Sequence, residues 1–194
     1  MASTVKTDLI SLLLEDHRVL TRHMEQVLNA PMERREELFF TLVQRVMAHE
    51  AAEELVVYPA VRKLAGGEAV ADERIAEQAQ GEAQLLGIER LHPTSNDFAS
   101  EFAHVLTEVK RHAHNEEITA FSMLEHSLSA SELEDLGERY EKAKAGAPTH
   151  PHPHVPHTAV SNRLLGPLVA KFDRLRDRLR HPERQATRPG VHKT

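Results

Sequence analysis

At 194 residues, with 40% hydrophobic and 28% charged side chains, the chain has the length for one domain with a single core plus an appendage. It contains 14 histidines and no cysteine, which excludes disulfides, iron–sulfur clusters and thiolate nucleophiles and leaves imidazole, carboxylate, phenol and water to hold any metal. The net charge of −6 conceals an asymmetry: residues 158–194 carry nine Lys/Arg against three Asp/Glu, so an acidic body with 15 against 27 bears a basic tail.

The N-terminal apolar run Leu9-Ile10-Ser11-Leu12-Leu13-Leu14 is bounded by Asp8 and Glu15. It is too short for a signal peptide or a membrane span, and the expected location is the cytoplasm. Residues 8–28 read as a first helix, with Ile10, Leu13, Leu20, Met24 and Val27 recurring at spacings of three and four and His17 on the same stripe. Pro31 follows a break and suits a first helical turn, so a second helix is expected over 32–64, ended by Gly66-Gly67 and kinked near Pro59. Its inward stripe is Leu42, Val46, His49, Glu53, Val56 or Val57, and Ala60, so two ionisable side chains interrupt an apolar face.

A third helix is expected over about 72–91, with Ile75, Ala79, Glu82 and Leu86 inward, Leu85 alongside, and Gln78 and Gln80 flanking. Ser95 and Asn96 offer N-caps to a fourth helix reaching about 128, whose face is Phe102, Val105, Val109, His112, Glu116, Ala120 and Met123. Ser129 and Glu132 have the capping-box spacing and open a short fifth helix to about 146, outside the four-helix body. The architecture expected is therefore all-α: an antiparallel up-down four-helix bundle over residues 1–146 with that short fifth helix. Residues 147–160, with Pro148, Pro151, Pro153 and Pro156 among His150, His152, His154 and His157, form a Pro/His-rich linker. Residues 161–194 space Leu164, Leu165, Leu168, Phe172, Leu175 and Leu179 on one side of a basic amphipathic helix, expected to pack on the protein's own bundle.

The chemistry lies in a repeat. His49, Glu53, Glu54 and Tyr58 recur 63 positions later as His112, Glu116, Glu117 and Phe121, and His and Glu four apart share one helix face. Burying imidazole and carboxylate in a bundle costs several kcal/mol unless they are paired or bound to a cation. His17, His49, Glu53, His112 and Glu116 together supply three imidazoles and two carboxylates, enough for two metal ions sharing bridging groups. This nitrogen and oxygen set suits iron, manganese or zinc, and a bridged pair suits iron where the chemistry concerns oxygen. Tyr58 is a candidate phenolate ligand with core packing as its alternative. Glu82, the one inward acid expected on the third helix, is a candidate ligand or outer support, and Glu54 and Glu117 are candidate acceptors for ligand imidazoles. The exposed positions expected for His104, His114 and His126 make them peripheral.

Glu15-Asp16-His17, residues 49–59 with their Glu-Glu-x-x-x-Tyr-Pro ending, and residues 112–121 resemble the hemerythrin-like (HHE cation-binding) family over residues 8 to about 145. The tail, with Gly166-Pro167 and residues 173–177, is similar to that of actinobacterial members. The resemblance implies a non-haem pair of iron ions, oxo- or hydroxo-bridged, that binds dioxygen or reacts with nitric oxide or peroxide. It implies His17, His49, Glu53, His112 and Glu116 as ligands, with the two Glu as bridges. The third helix departs from the family: where one or two His are usual it offers Gln78, Gln80 and Glu82. That departure moves the expectation from reversible oxygen carriage toward peroxide or redox chemistry, as a sensor, a binder or a weak peroxidase or catalase. The alternatives are metal storage, with the linker histidines handing ions to the bundle, and a helical interaction module whose basic tail docks on a partner or an acidic membrane. An acidic body without aromatic platforms speaks against nucleic acid.

Overall fold

The computed structural model of the chain describes residues 7–88, 91 and 95–147. The expected linker and basic helix, including His150, His152, His154 and His157, lie outside the described residues. Within them are five helices: α1 (Leu9–Asn29), α2 (Met32–Ala52, carried on by a π-helical turn Glu53–Val57 and a last α turn Tyr58–Val61), α3 (Gly67–Ile88), α4 (Asn96–Glu116, carried on by a π-helical turn Glu117–Phe121 and by Ser122–Ser127) and α5 (Ala130–Gly146). Short connections make successive helices neighbours, α4 returns against α1, and the all-α bundle expected from the sequence is what forms. No helix among the described residues is long and apolar enough to cross a membrane.

The helix starts follow the side chains that cap them. Asp8 accepts from Ser11 N–H at 3.0 Å, Ser95 accepts from Phe98 N–H at 3.0 Å, and Ser129 and Glu132 form the reciprocal capping box foreseen from their spacing. Between α2 and α3 the chain turns at Gly66, whose φ of 77° is costly for any residue with a Cβ.

Along each bundle helix the buried residues form two apolar layers with a polar layer between them. One end is built from Leu9, Leu13, Val56, Val57, Val61 and Leu124. The other includes Phe39, Phe98 and Phe102, with ring centroids 5.5 to 5.8 Å apart. In the middle lie His17, His49, Glu53, Gln78, Glu82 and Glu116, all at most 7% exposed. Such a layer cannot arise from propensity, since each polar group there forfeits its hydration.

Three expectations need correction. The distortion of α2 is a widened turn ahead of Pro59 rather than a kink made by it. The position equivalent to Pro59 in the second copy is Ser122, and α4 carries the same π-helical widening just after its own Glu, so the proline is not the cause. Single π-turns of this kind concentrate at functional sites. On α3 the inward stripe runs through Ala71, Arg74, Gln78, Glu82 and Leu85, while Ala79 is exposed, which brings Gln78 from the flank into the core. Finally, α5 is not outside the body: it packs on α1 and α2. Gly137 makes the approach possible, because a Cβ there would stand 2.6 Å from the Thr7 carbonyl oxygen and 3.1 Å from the Leu9 nitrogen.

Candidate metal centre

The two His-x-x-x-Glu pairs adopt the same geometry. His49 Nε2 lies 3.3 Å from Glu53 Oε1, and His112 Nε2 lies 3.4 Å from Glu116 Oε1. His17, from α1, sits between them, its Nε2 3.3 Å from Glu116 Oε2 and 4.0 Å from Glu53 Oε1. One ligand atom each from His17, His49, Glu53 and Glu116 falls within 4.8 Å of the others, so these four could hold one metal ion, with His112 on the far side of Glu116. The His17 and His49 rings meet edge to face at 5.2 Å, and Phe121 stacks on His17 at 5.3 Å, so the aromatic at the repeated position closes the layer by packing.

All three imidazoles present Nε2 inward because their Nδ1 atoms are engaged outside. His17 Nδ1 is 2.9 Å from Glu117 Oε1, His112 Nδ1 is 2.9 Å from Glu77 Oε2, and His49 Nδ1 is 2.7 Å from the Tyr140 hydroxyl. Carboxylates only accept, so these contacts require Nδ1–H on His17 and His112. Each Nε2 then faces a carboxylate oxygen lone pair to lone pair, an arrangement that repels unless a proton or a metal cation stands between. Glu53 Oε1 and Glu116 Oε2 are buried and receive no hydrogen bond. Converging imidazole nitrogens, unanswered carboxylate oxygens and outward Nδ1 supports are what a metal site made of nitrogen and oxygen donors needs.

The acid–base balance says the same. Burial alone would lower His17 and His112 and raise Glu116. The pairing of Glu116 with both rings outweighs it, holding Glu116 well below the usual carboxylate range and raising both histidines, which Glu117 and Glu77 also support. Glu53 goes the other way, pushed well up by burial and then by the charges of Glu116 and Glu50, against the hydrogen bond from Gln78. His49 is lowered by burial, with Asp16 opposing. Glu116 is thus offset by two rings whose proton affinity it raises, whereas Glu53 lacks enough positive charge.

The residues of the third helix and the aromatic ending take definite places. Gln78 donates from Nε2 to Glu53 Oε2 at 2.6 Å, and its buried Oε1 has no hydrogen-bond partner. Glu82 is buried one turn later, at 7% exposure, but is not among the side chains whose ligand atoms converge. The Tyr58 hydroxyl donates to Glu116 Oε1 at 2.5 Å, and burial followed by the charges of Glu53 and Glu116 raises its pKa far above the ordinary phenol value. Tyr58 is therefore a protonated donor orienting a carboxylate in this arrangement. Glu117 takes the supporting role expected of it; for His112 the support is Glu77 on α3, itself held by Arg111 at 2.8 Å, Asn115 at 3.0 Å and Arg74 at 3.3 Å. His104, His114 and His126 are exposed, as expected.

Sequence reasoning missed Glu77 and Tyr140, took Asp16 only as part of the Glu15-Asp16-His17 motif and set Gln78 on the flank of α3. Gln78 was within reach of a shifted α3 stripe, because positions 71, 74, 78, 82 and 85 also obey helical spacing. Tyr140 had no local signal. Beside the cluster a cavity of about 40 Å³ is lined by His17, His49, Gln78, Glu50, Val109 and His112 among others. It has room for a few water-sized molecules.

Residues 8–124 match the hemerythrin HHE cation binding domain. An uncharacterised hemerythrin-like protein of Schizosaccharomyces pombe is 28% identical over 140 residues, covering 70% of this chain and 68% of that one. A DNA nickase of Nostoc sp. is 29% identical over 110 residues, covering 57% of this chain and 31% of the nickase, so the chain spans less than a third of that relative. No solved structure matches. Since the matched domain spans most of the chain and contains every residue of the His/Glu cluster, the chain belongs to the hemerythrin HHE cation-binding family.

Proposed function

We propose that the chain is a non-haem iron protein that binds or reacts with small oxygen or nitrogen species: dioxygen, peroxide or nitric oxide. The observation that carries this reading is that the Nε2 atoms of His17 and His49 face two buried carboxylate oxygens, Glu116 Oε2 and Glu53 Oε1, that receive no hydrogen bond. His17, His49, Glu53 and Glu116 would hold a first ion, and His112 with Glu116 would contribute to a second. Manganese or zinc fits the same donors less specifically. Iron bound there would supply redox chemistry and a coordination position open to a small ligand.

The protein's own contribution is selection and placement. A cavity of about 40 Å³ lined by His17, His49 and His112 gives water-sized molecules a place beside the cluster. Tyr58 keeps its proton and directs it at Glu116 Oε1, and Gln78 does the same for Glu53 Oε2, so both carboxylates keep their other oxygens turned to the ion. Gln78, in place of an imidazole, lowers the number of strong donors on the α3 side. That substitution supports a second reading, metal buffering, in which the ion is exchanged rather than used. The tail lies beyond the centre in sequence, and its docking on the bundle stays part of the proposal.

Metal analysis and optical spectroscopy of the full chain after anaerobic loading with Fe²⁺ test the reading. The expected result is one to two irons per chain, bleaching or new charge-transfer bands on exposure to peroxide or nitric oxide, and loss of both in Glu53→Ala. Less than about one iron per chain would refute it. Tight uptake with no spectral response to any of the three species would favour buffering.

A further inference from the structure

Helix α5 lies beyond residue 124, where the matched domain ends, and yet it reaches the centre. Tyr140 is 0% exposed. Its hydroxyl donates to Asp16 Oδ2 at 2.6 Å and stands 2.7 Å from His49 Nδ1. With its proton committed to Asp16, the phenol oxygen offers His49 only lone pairs, so Nδ1 must carry the hydrogen and Nε2 is left with the lone pair, turned to Glu53. Asp16 is anchored in turn by Lys144 Nζ at 2.8 and 3.0 Å, one helical turn beyond Tyr140 on the same helix.

The arrangement differs from that around the other two rings. His17 and His112 contact a carboxylate directly through Nδ1, whereas His49 reaches one through a phenol. Asp16 cannot substitute for that phenol where it stands, since its Oδ2 is 3.6 Å from His49 Nδ1, beyond hydrogen-bond reach. His49 also forms part of two linings: that of the interior cavity, and that of a surface groove of about 440 Å³ to which Asp16, Arg45, Glu141 and Lys144 contribute.

We propose that Tyr140, backed by Asp16 and Lys144, is a positioning residue for the metal centre: it fixes His49 as the Nδ1–H tautomer and aims its Nε2 at the ion. The role rests on the reading of the His/Glu cluster as a metal centre. It gives α5 a function that its place outside the matched domain does not assign. Gly137, one turn before Tyr140, lets α5 lie against the start of α1 closely enough for the phenol to reach.

The test uses the full chain, Tyr140→Phe and Asp16→Asn, each titrated with Zn²⁺ and, anaerobically, with Fe²⁺ in competition with a chelator. Removing an outer support of a ligand imidazole lowers metal affinity about ten- to a hundredfold, and Tyr140→Phe should show that loss. Asp16→Asn keeps an acceptor for the phenol and removes its charge, so its loss should be smaller. In the Zn²⁺-loaded protein labelled with ¹⁵N-histidine, the His49 Nδ1–H should give a protected, low-field proton resonance that is absent in Tyr140→Phe. Equal affinities for wild type and Tyr140→Phe would overturn the proposal. So would an affinity loss that leaves the His49 imidazole signals unchanged, because packing would then be its cause. Asp16→Asn, at the partly exposed end of the chain, keeps the test open should Tyr140→Phe fold poorly. Failure of the wild type to take up either metal would instead remove the underlying reading.

Discussion

Replacing Glu53 by Gln should strengthen the metal-free protein and weaken the loaded one, so that the order of melting temperatures reverses on adding metal. Glu53 and Glu116 are both 0% exposed, and they share three imidazoles, of which Glu116 takes the better part. Burial, and after it the charge of Glu116, raises the Glu53 carboxyl, so folding favours its protonated form. A raised carboxylate costs stability above its unfolded value of about 4.3 and costs nothing below it. The Gln side chain removes that charge at nearly constant volume and should give about 1–3 kcal/mol, the usual penalty for a buried polar group left without compensation. For a chain of this length each kcal/mol moves the melting temperature by about 2–4 °C. In chelator at pH 7.5 Glu53→Gln should therefore melt several degrees above wild type, and the gap should close as the pH falls toward 4. With metal at about a hundred times its dissociation constant, wild type gains about 2.7 kcal/mol that the variant cannot match. Differential scanning fluorimetry at two pH values, with and without Fe²⁺ or Zn²⁺, measures all four conditions. A metal-free Glu53→Gln protein that melts below wild type at pH 7.5, or a gap that persists unchanged at pH 4, would refute the account of Glu53 as an undercompensated buried charge.

Tyr58→Phe leaves Glu116 Oε1 without its phenol donor and should lower metal-free stability by about 1–3 kcal/mol, read as a melting shift; an iron spectrum that keeps its bands in the variant would assign the phenol to orienting Glu116, and loss of a phenolate-to-iron band would make it a ligand. Gly137→Ala forces α5 away from the Thr7 carbonyl and should cost about 1–3 kcal/mol as overpacking, with a parallel loss of metal affinity through the displaced Tyr140. Metal should be released as pH falls: the raised histidines His17 and His112 take protons at higher pH than free imidazole, and each bound proton opposes the ion, so the chelator-competition midpoint should shift to weaker binding below about pH 7.

Much of the centre was legible because its signal is local. A His and a Glu four apart must share a helix face, and a second copy 63 residues on makes coincidence a poor explanation, so His49, Glu53, His112 and Glu116 could be named from spacing, and His17 from its place on the α1 stripe. The residues that hold those rings in place were less legible. Glu117 adjoins a repeat residue and was within reach; Gln78 depended on choosing between two stripes on α3 that satisfy helical periodicity almost equally, and Ala79 looked as good a core residue as Gln78 until packing exposed it.

The widened turns and α5 mark the limit of pattern reading. Both π-helical turns start within one residue of the metal-facing Glu, at Glu53 and at Glu117. A regular helix carries an apolar stripe past the polar layer at 100° per residue; adding a residue to one turn reorients everything downstream. In α2 this places Val56, Val57 and Tyr58 all inward, where a regular helix would spread three successive residues around most of its circumference. In α4 the same device buries Ala120 and Phe121 together, and Phe121 stacks on His17. The sequence-based expectation of a kink at Pro59 was reasonable on propensity, but Ser122 shows that propensity is not the common factor. The common factor is the site: the turn that delivers Glu53 or Glu116 to the centre must also seal the apolar layer behind it. Tyr140 then supplies from a fifth helix the support that neither repeat encodes for His49, which is why a two-copy motif yields a centre whose three imidazoles are not equivalent.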